Sequence, residues 1–194
     1  TPDFCLTISQ SIAASLPQTA QVCIATDARV SRDVIKTAVT AGLLYGGIDV
    51  VDFGILPTPA LALLTRELGF DTGIMITASH NPPEFNGIKL FNHDSLGYSR
   101  LQEEKIENIY FSNKFRSVSW RSAGNLTVAQ GVKERYFKYI RRKLPISRWH
   151  SLKVVVDPGN GAASEFASIF LRELGYDVLS INDEYDGLFP NRSS

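Results

Sequence analysis

Short apolar runs and longer segments of helical period take turns along this chain. Residues 21–25 (Gln-Val-Cys-Ile-Ala), 49–53 (Asp-Val-Val-Asp-Phe), 73–76 (Gly-Ile-Met-Ile) and 88–91 (Ile-Lys-Leu-Phe) are short and rich in strand formers. They are read as strands. Between them, residues 32–45 and 58–68 carry apolar positions at helical spacing. Ser31 is placed to cap the first helix and Gly46-Gly47 to end it; Thr58 or Pro59 opens the second and Gly69 closes it. Strands and helices alternating at this spacing predict a layered α/β/α domain on a mostly parallel, mixed sheet.

Beyond Phe91 the pattern turns polar. Residues 100–111 read as a helix, 113–126 as loop or edge structure, and 128–144 as a helix with Val132, Tyr136, Phe137, Tyr139, Ile140 and Leu144 on one face. The stretch from Pro145 to Ser151 is the expected boundary, dividing residues 1–148 from 149–194. Residues 152–157 then read as a strand, 158–161 as a tight turn and 162–174 as a helix. Arg66-Glu67-Leu68-Gly69-Phe70-Asp71 nearly recurs as Arg172-Glu173-Leu174-Gly175-Tyr176-Asp177, each closing a helix with glycine and leading into a strand. The repeat suggests two related α/β units, the second cut short.

Composition narrows the function classes. The 194 residues are 44 % hydrophobic and 21 % charged, with 20 basic and 20 acidic side chains, the profile of an ordinary globular protein. A net charge of zero argues against a general nucleic-acid or membrane-surface binder. The basic residues of 133–143 are read as the solvated face of a connecting helix. No apolar run approaches the roughly 20 residues that span a bilayer, and no signal peptide is visible, so a cytoplasmic protein is expected. Cys5 and Cys23 lie in apolar surroundings and read as buried thiols. His93 and His150 have no motif around them and read as surface residues.

The candidate chemistry follows the strand at 73–76: Thr77-Ala78-Ser79-His80-Asn81-Pro82-Pro83-Glu84-Phe85-Asn86-Gly87-Ile88-Lys89. A hydroxyl on a stiff loop at the carboxyl end of a strand is where open α/β sheets carry their chemistry. For His80 a Ser-His-Asp triad is disfavoured, since adjacent residues on an extended loop point apart, which leaves a phosphate or substrate neighbour or a purely structural residue. Lys89 could neutralise phosphate, shuttle a proton, or be an exposed strand lysine. Asp27-Ala28-Arg29-Val30-Ser31 follows the first strand; Asp27 and Arg29 can order the loop beneath Ser79, and Arg29 either supports the loop or touches phosphate. Asn81 is grouped with them as a supporting or phosphate-contacting residue. Asp157, Gly159 and Gly161 lack the G-x-G-x-x-G spacing of a nucleotide loop and are read as a turn.

The 77–89 segment closely resembles the phosphoserine loop of the α-D-phosphohexomutases, the family of phosphoglucomutase, phosphomannomutase and phosphoglucosamine mutase. Asp27 to Ser31 is similar to that family's Asp-x-Arg-x-Ser turn, with Ala25 where glycine is usual. Val154-Val155-Val156-Asp157-Pro158-Gly159-Asn160-Gly161-Ala162 and Asp186-Gly187-Leu188-Phe189-Pro190-Asn191 resemble parts of its second domain. The resemblance implies an enzyme that exchanges phosphate between the 1- and 6-positions of a hexose through phospho-Ser79, with hexose 1,6-bisphosphate as intermediate and activator. It implies His80 and Lys89 in the site, and Mg²⁺ held by the phosphoserine and three aspartates that this sequence lacks. Both ends look trimmed against the family pattern, so an N-terminal fragment, inactive by itself, is expected. The alternative is a non-catalytic sugar-phosphate binding or regulatory module on the same fold.

Overall fold

Side chains that alternate along the central strands sort the core into two layers. The computed structural model describes residues 1–144 and 152–191. In β1 (Gln21–Thr26), Val22 and Ile24 face one side while Cys23 and Ala25 face the other; in β3 (Thr72–Ile76), Ile74 and Ile76 oppose Met75. Helices α1 (Pro2–Ser15), α2 (Arg32–Tyr45) and α4 (Arg100–Ser112) cover the first side through Cys5, Ile12, Val39, Leu43 and Ile106. Helices α3 (Thr58–Glu67) and α5 (Val132–Lys143) cover the second through Ala60, Leu61, Leu64, Val132 and Phe137. A sheet covered on both faces needs apolar side chains on both, and every position of β3 is buried.

With β2 (Asp49–Ile55), β4 (Ile88–Asn92) and β5 (Leu126–Val128), the sheet order is β4-β3-β1-β2-β5. All neighbours run parallel except β3 and β4. That exception has a simple cause: residues 77–87 between them form no helix, and a connection without a crossover returns the chain antiparallel. The loop that carries Ser79 is therefore a broad hairpin connection at the carboxyl edge of β3. The mixed, mostly parallel α/β sheet agrees with the sequence expectation.

A second, two-stranded parallel sheet pairs β6 (Lys153–Val156) with β7 (Asp177–Ser180) across α6 (Ala167–Glu173). The repeated hexapeptide closes α3 and α6 in the same way. Gly69 and Gly175 take φ of 75° and 95°, and the next amides, of Phe70 and Tyr176, reach back to the Thr65 and Leu171 carbonyls.

Several boundaries differ from the pattern reading. Helix α1 had no counterpart, although Thr1 caps the Phe4 amide and Pro2 stands in the first turn. The helix expected from 128 begins at Val132: Leu126 to Val128 instead pair with Val50 to Asp52, and Gly131, at φ 67°, separates strand from helix. The helix expected over 162–174 shrinks to Ala167–Glu173 because Glu165 takes a left-handed conformation in the turn before it. Ser31 occupies the N-cap position of α2 without capping it; its backbone is already helical, and its hydroxyl accepts from Asn86 Nδ2 at 3.0 Å. On α5, Lys133, Arg141 and Arg142 pair with Glu165, Glu173 and Glu67, as expected of a solvated helix face. The expected boundary at 145–151, with His150, lies outside the described residues.

Candidate active site

Burial stops at Ser79. Thr77 and Ala78 continue the buried run of β3, and Ser79 is the first exposed residue. Its φ is 59°, a left-handed conformation that L-residues with a side chain rarely hold without support. Support comes from both sides. The Thr77 amide closes the ladder on the Gly87 carbonyl at 3.0 Å, and the Ser79 amide donates to Thr77 Oγ1 at 2.9 Å. Asn81 N–H turns the loop back onto the Ala78 carbonyl at 3.1 Å.

Beneath the loop lies Asp27, whose amide donates to the Ile76 carbonyl at 3.0 Å and so joins the ends of β1 and β3. Its carboxylate accepts from the Arg29 amide at 3.1 Å, from Arg29 Nε at 3.0 Å and from Thr77 Oγ1 at 2.6 Å. Arg29 is 1 % exposed. One terminal nitrogen donates to the Pro82 and Phe85 carbonyls, the other to those of Ser79 and Asn81. A guanidinium has five N–H donors, and these contacts use all five. Of the two roles left open for Arg29, loop support is the one the geometry shows.

A cavity of about 220 Å³ opens above Ser79. The first unit contributes Asp27, Thr58, Met75, Thr77, Ser79 and His80; the second contributes Gly161, Ala162 and Phe189. Small-molecule pockets run to about 300–1,000 Å³, so this space suits a phosphoryl group more than a whole sugar phosphate. The Phe189 ring lies 5.4 Å from the Arg29 guanidinium carbon. Gly187 lies so close to the backbone of Ala28 to Val30 that a Cβ there would collide with it, so glycine is what admits the contact. A larger cavity of about 640 Å³, between α1, β4 and α4, contains no residue of the Ser79 loop.

Of the residues singled out in the sequence, Ser79, His80 and Asp27 meet at this cavity, and Arg29 lies directly behind it. Asn81 joins through its backbone: its carbonyl accepts from Arg29 at 2.8 Å. Lys89 is exposed on β4, paired across the sheet with Met75, so it emerges on the Met75 face but does not line the cavity. Thr77, Gly187 and Phe189 were quoted only inside motifs, with no role assigned. For Thr77 a signal existed, since a hydroxyl two residues before a strained position often bonds the next turn's amide. Cys5 and Cys23 are buried and free, as expected; burial pushes the Cys23 thiol up to about 12. No helix of the described residues is long and apolar enough to cross a membrane.

An α/β sheet that presents a rigidly held hydroxyl beside a small cavity defines an α/β protein with a candidate site where open sheets place theirs, at the carboxyl ends of the strands. Comparison with known sequences narrows it. Residues 1–117 match the family model for phosphoglucomutase/phosphomannomutase, alpha/beta/alpha domain I, and residues 134–194 match the model for domain II. The chain belongs to the phosphoglucomutase/phosphomannomutase family. It is 38 % identical over 193 residues to a probable phosphoglucosamine mutase of Methanobrevibacter smithii, covering all of this chain and 43 % of that protein. It is 42 % identical over 175 residues to the phosphoglucosamine mutase of Alkaliphilus oremlandii, covering 89 % and 39 %. A crystal structure of a phosphoglucomutase/phosphomannomutase family protein from Burkholderia thailandensis superposes with a TM-score of 0.83 at 27 % identity, over 98 % of this chain and 42 % of that one. The chain thus spans well under half the length of these relatives.

Proposed function

We propose that Ser79 is the phosphoryl carrier of a phosphohexomutase that interconverts hexose 1-phosphate and hexose 6-phosphate through hexose 1,6-bisphosphate. The observation that carries the reading is the exposed Ser79 on a buried strand end, locked in a left-handed turn at a cavity sized for a phosphoryl group. In the forward half-reaction a sugar hydroxyl attacks phosphorus, the P–Oγ bond breaks, and Ser79 leaves as the hydroxyl after taking a proton. The attacking hydroxyl gives up its own proton. The bisphosphate then turns over and returns its other phosphoryl group to the same Oγ. Such transfers depend on positioning and charge neutralisation more than on covalent chemistry by the protein.

His80 lines the same cavity as Ser79, which supports its reading as a neighbour of that phosphoryl group. Lys89, one strand away on the same face as Met75, supplies positive charge or a proton when the sugar is bound. Mg²⁺ is the ion this chemistry ordinarily uses, bound by carboxylate and phosphate oxygens. Among the described residues no three His, Cys, Asp or Glu side chains could hold it, and Asp27 is committed to Arg29 and Thr77. These residues do not make a metal site by themselves.

The test is phosphate incorporation. Full-length protein treated with glucose 1,6-bisphosphate should gain one phosphoryl group, mapped by peptide mass spectrometry to Ser79, and Ser79→Ala should gain none. Phosphate found reproducibly elsewhere with Ser79 bare would sink the assignment. No incorporation at all, with retained sugar-phosphate binding, would favour a binding module.

A further inference from the structure

We propose that Thr77 and Arg29 are positioning residues that aim the Ser79 hydroxyl by pinning both of its peptide groups in the left-handed conformation. The consequence for catalysis rests on the phosphoryl-carrier reading; the geometry stands without it. Ser79 N–H is held by Thr77 Oγ1 at 2.9 Å, and the Ser79 carbonyl by an Arg29 terminal nitrogen at 3.1 Å. Both holders converge on one carboxylate, since Asp27 accepts from Thr77 Oγ1 at 2.6 Å and from Arg29 Nε at 3.0 Å. The lock is therefore a closed circuit: the Ser79 backbone, Thr77, Asp27 and Arg29.

Its chemistry sets what each position requires. Thr77 Oγ1 must accept from Ser79 and donate to Asp27 at once, which a hydroxyl can do and an aliphatic group cannot. Arg29 spends all five donors on Asp27 and four loop carbonyls. It has none left for phosphate, and recruiting it would release the loop. The circuit also lies behind the loop, with Arg29 and Thr77 buried while Ser79 faces solvent. A residue that strained relaxes when its supports are removed, and its Oγ then leaves the line of attack. Misplacement of about 1 Å can cost about 10²-fold in rate. A carrier that meets two different sugar oxygens in turn needs its hydroxyl returned to one place each time.

The experiment compares Thr77→Val, which keeps the shape and removes the hydroxyl, with Thr77→Ser, which keeps the hydroxyl. Amide hydrogen exchange of Ser79 is followed by NMR on this chain, and steady-state kinetics on the full-length protein. The Ser79 amide should be protected in wild type and Thr77→Ser and lose protection in Thr77→Val, with β1 and β3 amides unchanged. In kinetics, Thr77→Val should lower kcat by about 10²-fold with KM little changed, the signature of lost alignment after binding, and Thr77→Ser should recover most of it. Undiminished protection in a folded Thr77→Val, or kcat equal to wild type, overturns the proposal. Should Thr77→Val fail to fold, wild type still decides: a Ser79 amide exchanging as fast as an unbonded exposed amide overturns the lock. A wild-type protein that takes no phosphate on Ser79 defeats the carrier reading, while the exchange measurement still decides the geometry.

Discussion

Replacing Arg29 by methionine removes the charge and all five donors while keeping much of the volume. Asp27, 7 % exposed, then keeps Thr77 Oγ1 and the residue 29 amide but loses its only ion-pair partner among the described residues. Removing one member of a buried pair typically costs about 3–5 kcal/mol, because the other charge stays buried and uncompensated. The four freed carbonyls add less than their nominal sum, since the 79–85 loop is near solvent and water can replace the guanidinium. We therefore expect a loss of about 3–5 kcal/mol, a large share of the roughly 5–15 kcal/mol that stabilises a typical domain. With a slope near 2 kcal/mol/M, the urea midpoint of this chain should fall by about 2 M, read by far-ultraviolet circular dichroism. Asp27→Asn in the same background should recover part of the loss, because it removes the stranded charge; the double-mutant cycle isolates the coupling. A loss below about 1 kcal/mol, or strict additivity of the two substitutions, would refute the claim that Arg29 and Asp27 form one buried unit.

Further outcomes follow from other residues. Lys89→Met in the full-length protein should lower kcat by about 10²-fold without loss of folding; wild-type kcat would return Lys89 to the surface of β4. Gly187→Ala should disturb the contact with the Asp27 to Val30 turn, and amide shifts confined to its own segment would show that the contact is dispensable. The Cys23 thiol, raised by burial from 9.0 to about 12, should resist alkylation at neutral pH until the chain unfolds. Because its folded pKa is the higher one, its contribution to stability is complete at neutral pH and is lost as pH rises from about 9 toward 12, so the urea midpoint of Cys23→Ala should fall less over that interval. This chain without further domains should show no mutase turnover in a coupled assay, and hydrogen exchange should be slower in the five-stranded sheet than in β6 and β7. Turnover at an ordinary enzymatic rate would mean that these residues complete the active site.

What the sequence determined was everything carried by short-range pattern. The short apolar runs at 21–25 and 73–76, the glycine stops at 69 and 175, and the contiguous Thr77 to Lys89 motif each hold their information in neighbouring residues. They pointed to the α/β layers, to two related units and to Ser79. Segments at the margin of the pattern were less legible: Leu126 to Val128 became a strand only because β2 offered an open edge, and period alone cannot register a partner. The site was decided by tertiary structure. Arg29 and the 79–85 carbonyls are 50 to 56 positions apart, so no spacing rule says whether its donors meet a phosphate or a backbone. Phe189 reaches the cavity from the far end of the chain, where Asp186 to Asn191 carried a resemblance but no assigned role. Ser31 and Lys89 make the same point from opposite directions. One hydroxyl turned from its helix to Asn86, and one lysine was set by antiparallel register opposite Met75, because packing and pairing outweigh local preference once the sheet has formed.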